Sequence, residues 1–320
     1  MSVDPEKLVS LLLAEEGHEQ GLALVETMRD EIDWEDLMVR VTAHGHPYDR
    51  YPIAESDNEG FRPAFRLTLG RFEPLMNGTY RRQRIAQHTN LVLRLLALSP
   101  PELEVRREPA ICIDGNDGVI DADALVRAFP ELQSLALARC ELDDWDALSR
   151  MQISELRMWR CRRFAGRQRY ACTQLGVSET HIAAGTSFAG VTRLVMRGGI
   201  EAKALRQFRS LRTLRHLGSS CYNELITAMA TLPELEVVDV DGTVRATERG
   251  TSPVRYVGAD LAPFRDSPKI RELRLRGTLV DVHRLHPLLG HPTLEVLELD
   301  AKLRRKIPKQ VRRDLPLVSA

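Results

Sequence analysis

The residues best suited to chemistry in this chain are arginines. The segment Arg160–Tyr170, RCRRFAGRQRY, holds five arginines with Phe164 and Tyr170 between them, and Trp159 stands immediately before it. Basic residues interleaved with aromatics can track a phosphate backbone and stack on bases. They can equally dock an acidic protein, because Trp and Arg are the types most often found as interface hot spots and Arg pairs bidentately with carboxylate or phosphate. Other reactive types are sparse. His44 and His46 can share a face of a strand, but a metal site needs further ligands and only Asp49 and Asp57 stand nearby. The five cysteines (Cys112, Cys140, Cys161, Cys172 and Cys221) are an odd number without a CxxC pair, which argues against a disulfide framework and a zinc ribbon. The sequence contains no GxxxxGK[ST], GxSxG, HExxH or GxGxxG. No enzymatic activity, metal or cofactor is expected.

The elements that must position these arginines announce themselves by spacing. Leu132-x-x-Leu135-x-Leu137-x-x-Cys140-x-Leu142 is followed one period later by Ile153, Leu156, Met158 and Cys161. Val191, Leu194 and Met196 repeat it, as do Leu235, Val238 and Val240, then Ile270, Leu273 and Leu275, then Leu294, Leu297 and Leu299. With Leu211 included, the starts lie 21, 38, 20, 24, 35 and 24 residues apart. The two long steps hold either an insertion or a degenerate repeat, with Val254–Val257 as a degraded strand inside the second. Helical return strokes are expected at Asp121–Pro130, Trp145–Arg150, Ala202–Phe208, Asn223–Ala230 and Val282–Leu289. Pro130, Pro233, Pro268 and Pro292 stand one or two residues before the next strand, where proline stops a helix.

Over roughly residues 105–316 the chain resembles leucine-rich-repeat proteins. The opening LLLAEEGHEQGLALVETM is similar to the helical leader of some bacterial proteins carrying such repeats. The resemblance implies an α/β solenoid: a curved array with a parallel concave sheet and mostly helical return strokes, preceded by a helical N-terminal region. It implies protein–protein interaction and supplies no catalytic residues. Cys140 and Cys161 fall where such repeats place Asn or Cys, as buried structural thiols.

In a strand reading xLxLx the leucines point inward, so alternate residues face outward. That rule places Glu155, Arg157 and Trp159 outward on one strand, and Arg193, Val195 and Arg197 on another. Thr213, Arg215 and Leu217, then Val237, Asp239 and Asp241, then Glu272, Arg274 and Arg276 follow. The candidate partner-binding residues are therefore Arg157, Trp159, Arg160, Arg162, Arg163, Arg193, Arg197, Arg215, Asp239, Asp241, Arg274 and Arg276. The segment 160–170 is expected to protrude as a loop beside Trp159. The leading expectation is a non-enzymatic module binding an acidic protein through this face. The alternative is nucleic-acid binding by the arginines and the basic C-terminal segment. A bland reading stands beside both, in which cross-strand pairs such as Arg274 with Asp239 or Asp241 satisfy one another.

Residues 1–100 read as a helical leader with a loop-rich stretch at 44–80, and residues 101–320 as the repeat domain with a basic C-terminal cap. Leu8, Leu11 and Leu12, then Leu22, Val25 and Met28, mark the first helices, and Pro5 behind Asp4 marks a capped start. Charge is divided unevenly along the chain. Residues 1–60 hold 15 acids and 4 bases, whereas Lys302–Arg313 carries seven bases and no acid. Such separation matters for partner steering or for masking of one part by the other. No run of about eighteen apolar residues exists, and the start lacks the basic region of a signal peptide. No membrane association and a cytoplasmic location are expected.

Overall fold

A computed structural model describes residues 4–14, 17–45, 67–69, 79–167, 169–182, 188–197, 202–217, 223–241, 256–257, 260–276, 278–279 and 282–318. The chain is an α/β protein built on open parallel sheet, in two compact units, Met1–Ala171 and Cys172–Ala320. The change of pattern near residue 100 falls inside the first unit.

The first unit begins with α1 (Pro5–Leu13), α2 (His18–Thr27) and α3 (Trp34–Gly45). Asp4 Oδ1 accepts from the Glu6 amide at 3.0 Å and Pro5 occupies the first turn, so the helix starts where the sequence marks it. Leu8, Val9 and Leu12 face inward, as do Leu22, Val25, Leu37, Met38 and Val41. Strand β1 (Leu67–Leu69) precedes α4 (Thr79–Leu98), whose Leu91, Val92, Leu93, Leu95 and Leu96 are all buried. Helix α4 packs on β2 (Ala110–Ile120) and on α5 (Ala122–Ala128). Gly118 permits that approach: a Cβ there would lie 2.2 Å from the Ala86 Cβ. Strands β3 (Ser134–Leu142) and β4 (Glu155–Trp159) complete the order β1-β2-β3-β4, and β5 is the two-residue segment Arg163–Phe164. Leu132, Leu135, Leu137, Cys140 and Leu142 are all buried, so the sequence register is the structural one.

The second unit orders β6 (Gln174–Ser178), β8 (Arg193–Arg197), β9 (Thr213–Leu217), β10 (Val237–Asp241), β12 (Glu272–Arg276), β14 (Val296–Leu299) and β15 (Leu317–Val318) side by side, all parallel. Between them lie β7 (His181–Ile182), α6 (Ala202–Leu205), α7 (Asn223–Ala230), β11 (Tyr256–Val257), β13 (Thr278–Leu279), α8 (Ala301–Lys306) and α9 (Lys309–Arg313). Return strokes stand where the sequence places them, but several are 3-10 turns and not α-helices. Trp145–Arg150 and Val282–Leu288 are single 3-10 segments, as is Ala262–Asp266. Strand β6 lies inside the long 153–191 interval. Its Leu175 and Val177 face inward between buried Cys172 and Thr180, so this interval holds a strand in place of a bare insertion. Strand β11 pairs with β13 in the region expected to hold a degraded strand, while 254 and 255 lie outside the described residues.

Two local arrangements recur. One carbonyl before each strand accepts from two successive amides: Pro109 O from Gln133 and Ser134, and Gln133 O from Ser154 and Glu155. In the second unit Thr173, Thr192, Arg212, Glu236 and Arg271 do the same for the strand that follows each of them in the sheet, at 2.8–3.1 Å. Arg139 (φ 47°), where the pairing of β3 with β4 ends, and Arg160 (φ 53°) and Glu179 (φ 49°), just past β4 and β6, turn left-handed. Each directly precedes a small buried residue, Cys140, Cys161 or Thr180. A left-handed non-glycine residue costs about 1–3 kcal/mol, so its recurrence marks a turn that the packing of the next residue enforces.

Candidate functional site

On the first unit, alternation along β4 turns Leu156 and Met158 inward and leaves Glu155, Arg157 and Trp159 half-buried on the open face. The neighbouring strand offers only Ser134, Ala136 and Ala138, opposite Glu155, Arg157 and Trp159 in register. Ser134 Oγ donates to Glu155 Oε2 at 3.0 Å, and Arg157 donates through Nε and Nη2 to Glu155 Oε1 at 2.9 and 2.5 Å. Arg157 is thereby held and largely compensated. The Arg160 guanidinium lies 5.1 Å above the Trp159 ring, a cation–π contact that covers part of the indole. Arg162 is exposed and makes no ion pair among the described residues. The side chain of Arg163 lies outside the described residues, as do those of His44, His46, Asp49, Asp57 and Cys221.

The segment after Trp159 does not present its aromatics to a ligand. Phe164 is fully buried and Tyr170 nearly so. Phe164 packs 4.6 Å from the Trp145 ring and 5.2 Å from the Tyr170 ring, centre to centre. Tyr170 Oη sits 3.1 Å from Asp146 Oδ1 and 3.3 Å from Trp145 O. Asp146 Oδ1 also accepts from the Arg167 amide at 2.6 Å. The tyrosine ring can cross the chain there because residue 166 is glycine, where a Cβ would fall 1.6 Å from Tyr170 Oη. The expected protruding loop is instead folded onto the 3-10 segment Trp145–Arg150. The hydrophobic gain of burying two aromatic rings outweighs exposing them among arginines.

On the second unit, register puts Val195, Arg215, Asp239, Arg274 and Glu298 in one row across the sheet, and Arg197, Leu217, Asp241 and Arg276 in the next. Arg215 reaches Asp239 at 3.4 Å. Arg274 reaches Glu272 at 2.7 Å and Glu298 at 3.8 Å. Arg276 is the hub, at 2.7 Å from Asp239, 3.6 Å from Asp241 and 3.8 Å from Glu298. Three arginines meet four carboxylates, so this part of the face is internally compensated. The geometry favours the bland reading for these residues, with Arg276 and not Arg274 bridging Asp239 and Asp241. Burial opposes the charge on Arg276, but Asp239, Asp241 and Glu298 outweigh it and raise its pKa. The hydrogen bond to Glu272 likewise raises that of Arg274. Arg193 is exposed and makes no ion pair among the described residues, while Arg197 is half-buried and has an interaction partner.

Two further features carried little sequence signal, and the cysteines expected in the core are buried there. Arg139 binds Asp114 through two nitrogens, at 3.1 and 2.5 Å. Buried Arg106 donates Nε to Ala128 O at 3.1 Å, Nη2 to Arg127 O at 2.7 Å, and Nη1 to Ser99 O. Cys140 and Cys161 are neighbours in the core; the hydrogen bond between them and burial hold the Cys140 thiol well above the usual range. Among the described residues no three metal-ligating side chains come together, and no helix is long and apolar enough to cross a membrane.

No protein-family model matches the chain. No curated protein matches it at a level that would establish kinship.

Proposed function

We propose that the chain is a leucine-rich-repeat-type solenoid that acts as a non-enzymatic protein-interaction module. Support for the repeat reading comes from the shared-carbonyl strand starts, the left-handed residues before Cys140, Cys161 and Thr180, and the inward register of every matched strand. Taken with a strand every 19 to 24 residues over most of the array, these are the devices a stacked repeat requires.

The binding surface is the open face of the first unit around Trp159, Arg160 and Arg162. The observation that carries this is the Trp159 ring, half-buried on the face of the first unit with the Arg160 guanidinium 5.1 Å over it. Arg162, shortly after it in the chain, is exposed and makes no ion pair among the described residues. A large aromatic flanked by cations of this kind fits an acidic protein segment, with the ring as anchor and the guanidiniums as carboxylate clamps. Nucleic acid is the weaker occupant here, since Phe164 and Tyr170 are buried and offer bases no stacking platform.

The test is photo-cross-linking in the native cell with a benzophenone amino acid at position 159, and separately at position 274. Cross-links to a discrete acidic protein from 159, absent at 274, support the reading. An equal pattern from both positions, or none from 159, counts against it.

A further inference from the structure

The C-terminal helices carry charge that the fold does not use. Lys302, Arg305 and Lys306 on α8, and Lys309, Arg312 and Arg313 on α9, are all exposed, and among the described residues none makes an ion pair. The only acid from 301 to 318 is Asp314. The segment is anchored by buried Leu303 on α8, Ile307 between the helices and Leu315 beyond α9, while α9 itself buries no residue. Two arginine side chains also tie the segment together. Arg304 Nη1 donates to Val318 O at 3.1 Å, and Arg312 Nη2 to Arg305 O at 3.0 Å. The result is a tethered platform that exposes six cations within twelve residues.

Helix stability accounts for part of this charge only. Cations in a last turn offset the partial negative charge of the free carbonyls by a few tenths of a kcal/mol. That covers Arg305 and Lys306, and Arg312 and Arg313. It does not cover Lys302 and Lys309, which sit in the first turns of their helices. There a cation is mildly unfavourable and an acid would serve the fold better. Their presence needs a reason outside the helices.

We infer that this platform holds the phosphate backbone of a double-helical nucleic acid. The inference concerns a second site, on the second unit, and stands whether or not the reading of Trp159 holds. Charge complementarity names a polyanion. The make-up of the platform then selects among polyanions. Residues 301–318 contain no aromatic side chain, so no ring there stacks on unpaired bases and a single strand lacks that advantage. No large apolar side chain is exposed on the platform, so it lacks the wedge that seats an interfacial helix in a lipid surface. It also lacks the apolar, aromatic centre that a protein interface of ordinary affinity uses. What remains is a set of point charges and guanidinium forks, which suits repeated phosphates read without regard to sequence.

The test is fluorescence anisotropy of a labelled 20-base-pair DNA duplex with the full chain across a salt series. Four to five phosphate contacts give a log–log salt slope of about −3.6 to −4.5, or a roughly 150- to 500-fold loss of affinity between about 50 and about 200 mM salt. The decisive variant is Lys302→Glu with Lys309→Glu. It puts acids where the helix ends favour them, so the fold is kept while the platform is weakened. Affinity should fall by more than about tenfold and the slope should flatten by about 2. The matching single strand should bind more weakly than the duplex. The inference is overturned if the duplex does not bind at about 50 mM salt. It is also overturned if the double variant binds like the parent, or if single strands or phosphatidylserine-rich vesicles bind while the duplex does not.

Discussion

Replacing Arg106 by methionine keeps most of the buried stem and removes the guanidinium. That group supplies donors to three backbone carbonyls: Arg127 O and Ala128 O at the end of α5, and Ser99 O just beyond α4. Carbonyls at helix ends have no partner within the helix, so a single side chain closes two helix termini at once. Hydrogen bonds to a charged donor contribute about 1.5–3 kcal/mol each. Against their sum stands the penalty of burying the charge, visible as a lowering of the Arg106 pKa caused first by burial and then by Arg29. The net expected loss is about 3 kcal/mol. Arg106→Lys should recover only part of it, because a point charge cannot reach three carbonyls as a planar fork does. Urea denaturation followed by far-UV circular dichroism reads the loss in the transition of the first unit. A methionine variant within about 1 kcal/mol of the parent, or a lysine variant equal to it, would refute the reasoning.

Gly118→Ala drives a methyl group into Ala86 and should push α4 off β2, costing about 1–3 kcal/mol in the same urea assay; an unchanged midpoint would mean the helix has slack. Arg276→Met removes the guanidinium shared by Asp239, Asp241 and Glu298, leaving Arg215 on Asp239 and Arg274 on Glu298, and should destabilise the second unit by about 2 kcal/mol. The further change Asp239→Asn should restore part of that loss, and a double-mutant cycle with no coupling would contradict the hub. Burial pushes the Cys172 thiol up to about 12 against an ordinary value of 9.0. Its folded pKa is raised, so its contribution is intact below about pH 9 and lost as pH rises towards about 12. The stability gap between the parent and Cys172→Ala should narrow across that window, and a gap independent of pH would contradict the assignment.

Much of the scaffold was legible because periodicity reports which face is buried. Every inward position named from Leu132 to Leu299 is buried, and β4, β8, β10 and β12 carry the outward residues read from the sequence. Strand β6 escaped notice because its inward residues are Cys172, Leu175, Val177 and Thr180, with Gly176 between the two aliphatics. Only the two middle positions look hydrophobic. The segment after Trp159 misled for the opposite reason. Its arginines advertise solvent, yet the fold packs Phe164 against both the Trp145 and Tyr170 rings, and burial there depends on partners about 20 residues away in sequence. The charge network lies further from reach. Register alone sets Arg274 opposite both Asp239 and Glu298, but side-chain reach decides that Arg276 bridges the aspartates and Arg274 turns to Glu272.

On the proposed reading, the face of the first unit centred on Trp159 binds an acidic protein. The most direct measurement is how much of the protein captured by the parent chain is retained by Trp159→Ala with Arg162→Glu, at equal input and with folding checked by circular dichroism. Loss of a tryptophan anchor of 2 kcal/mol or more weakens binding by about 30-fold or more, so retention should fall below about a tenth. Undiminished retention of the same protein by the folded variant would contradict the claim.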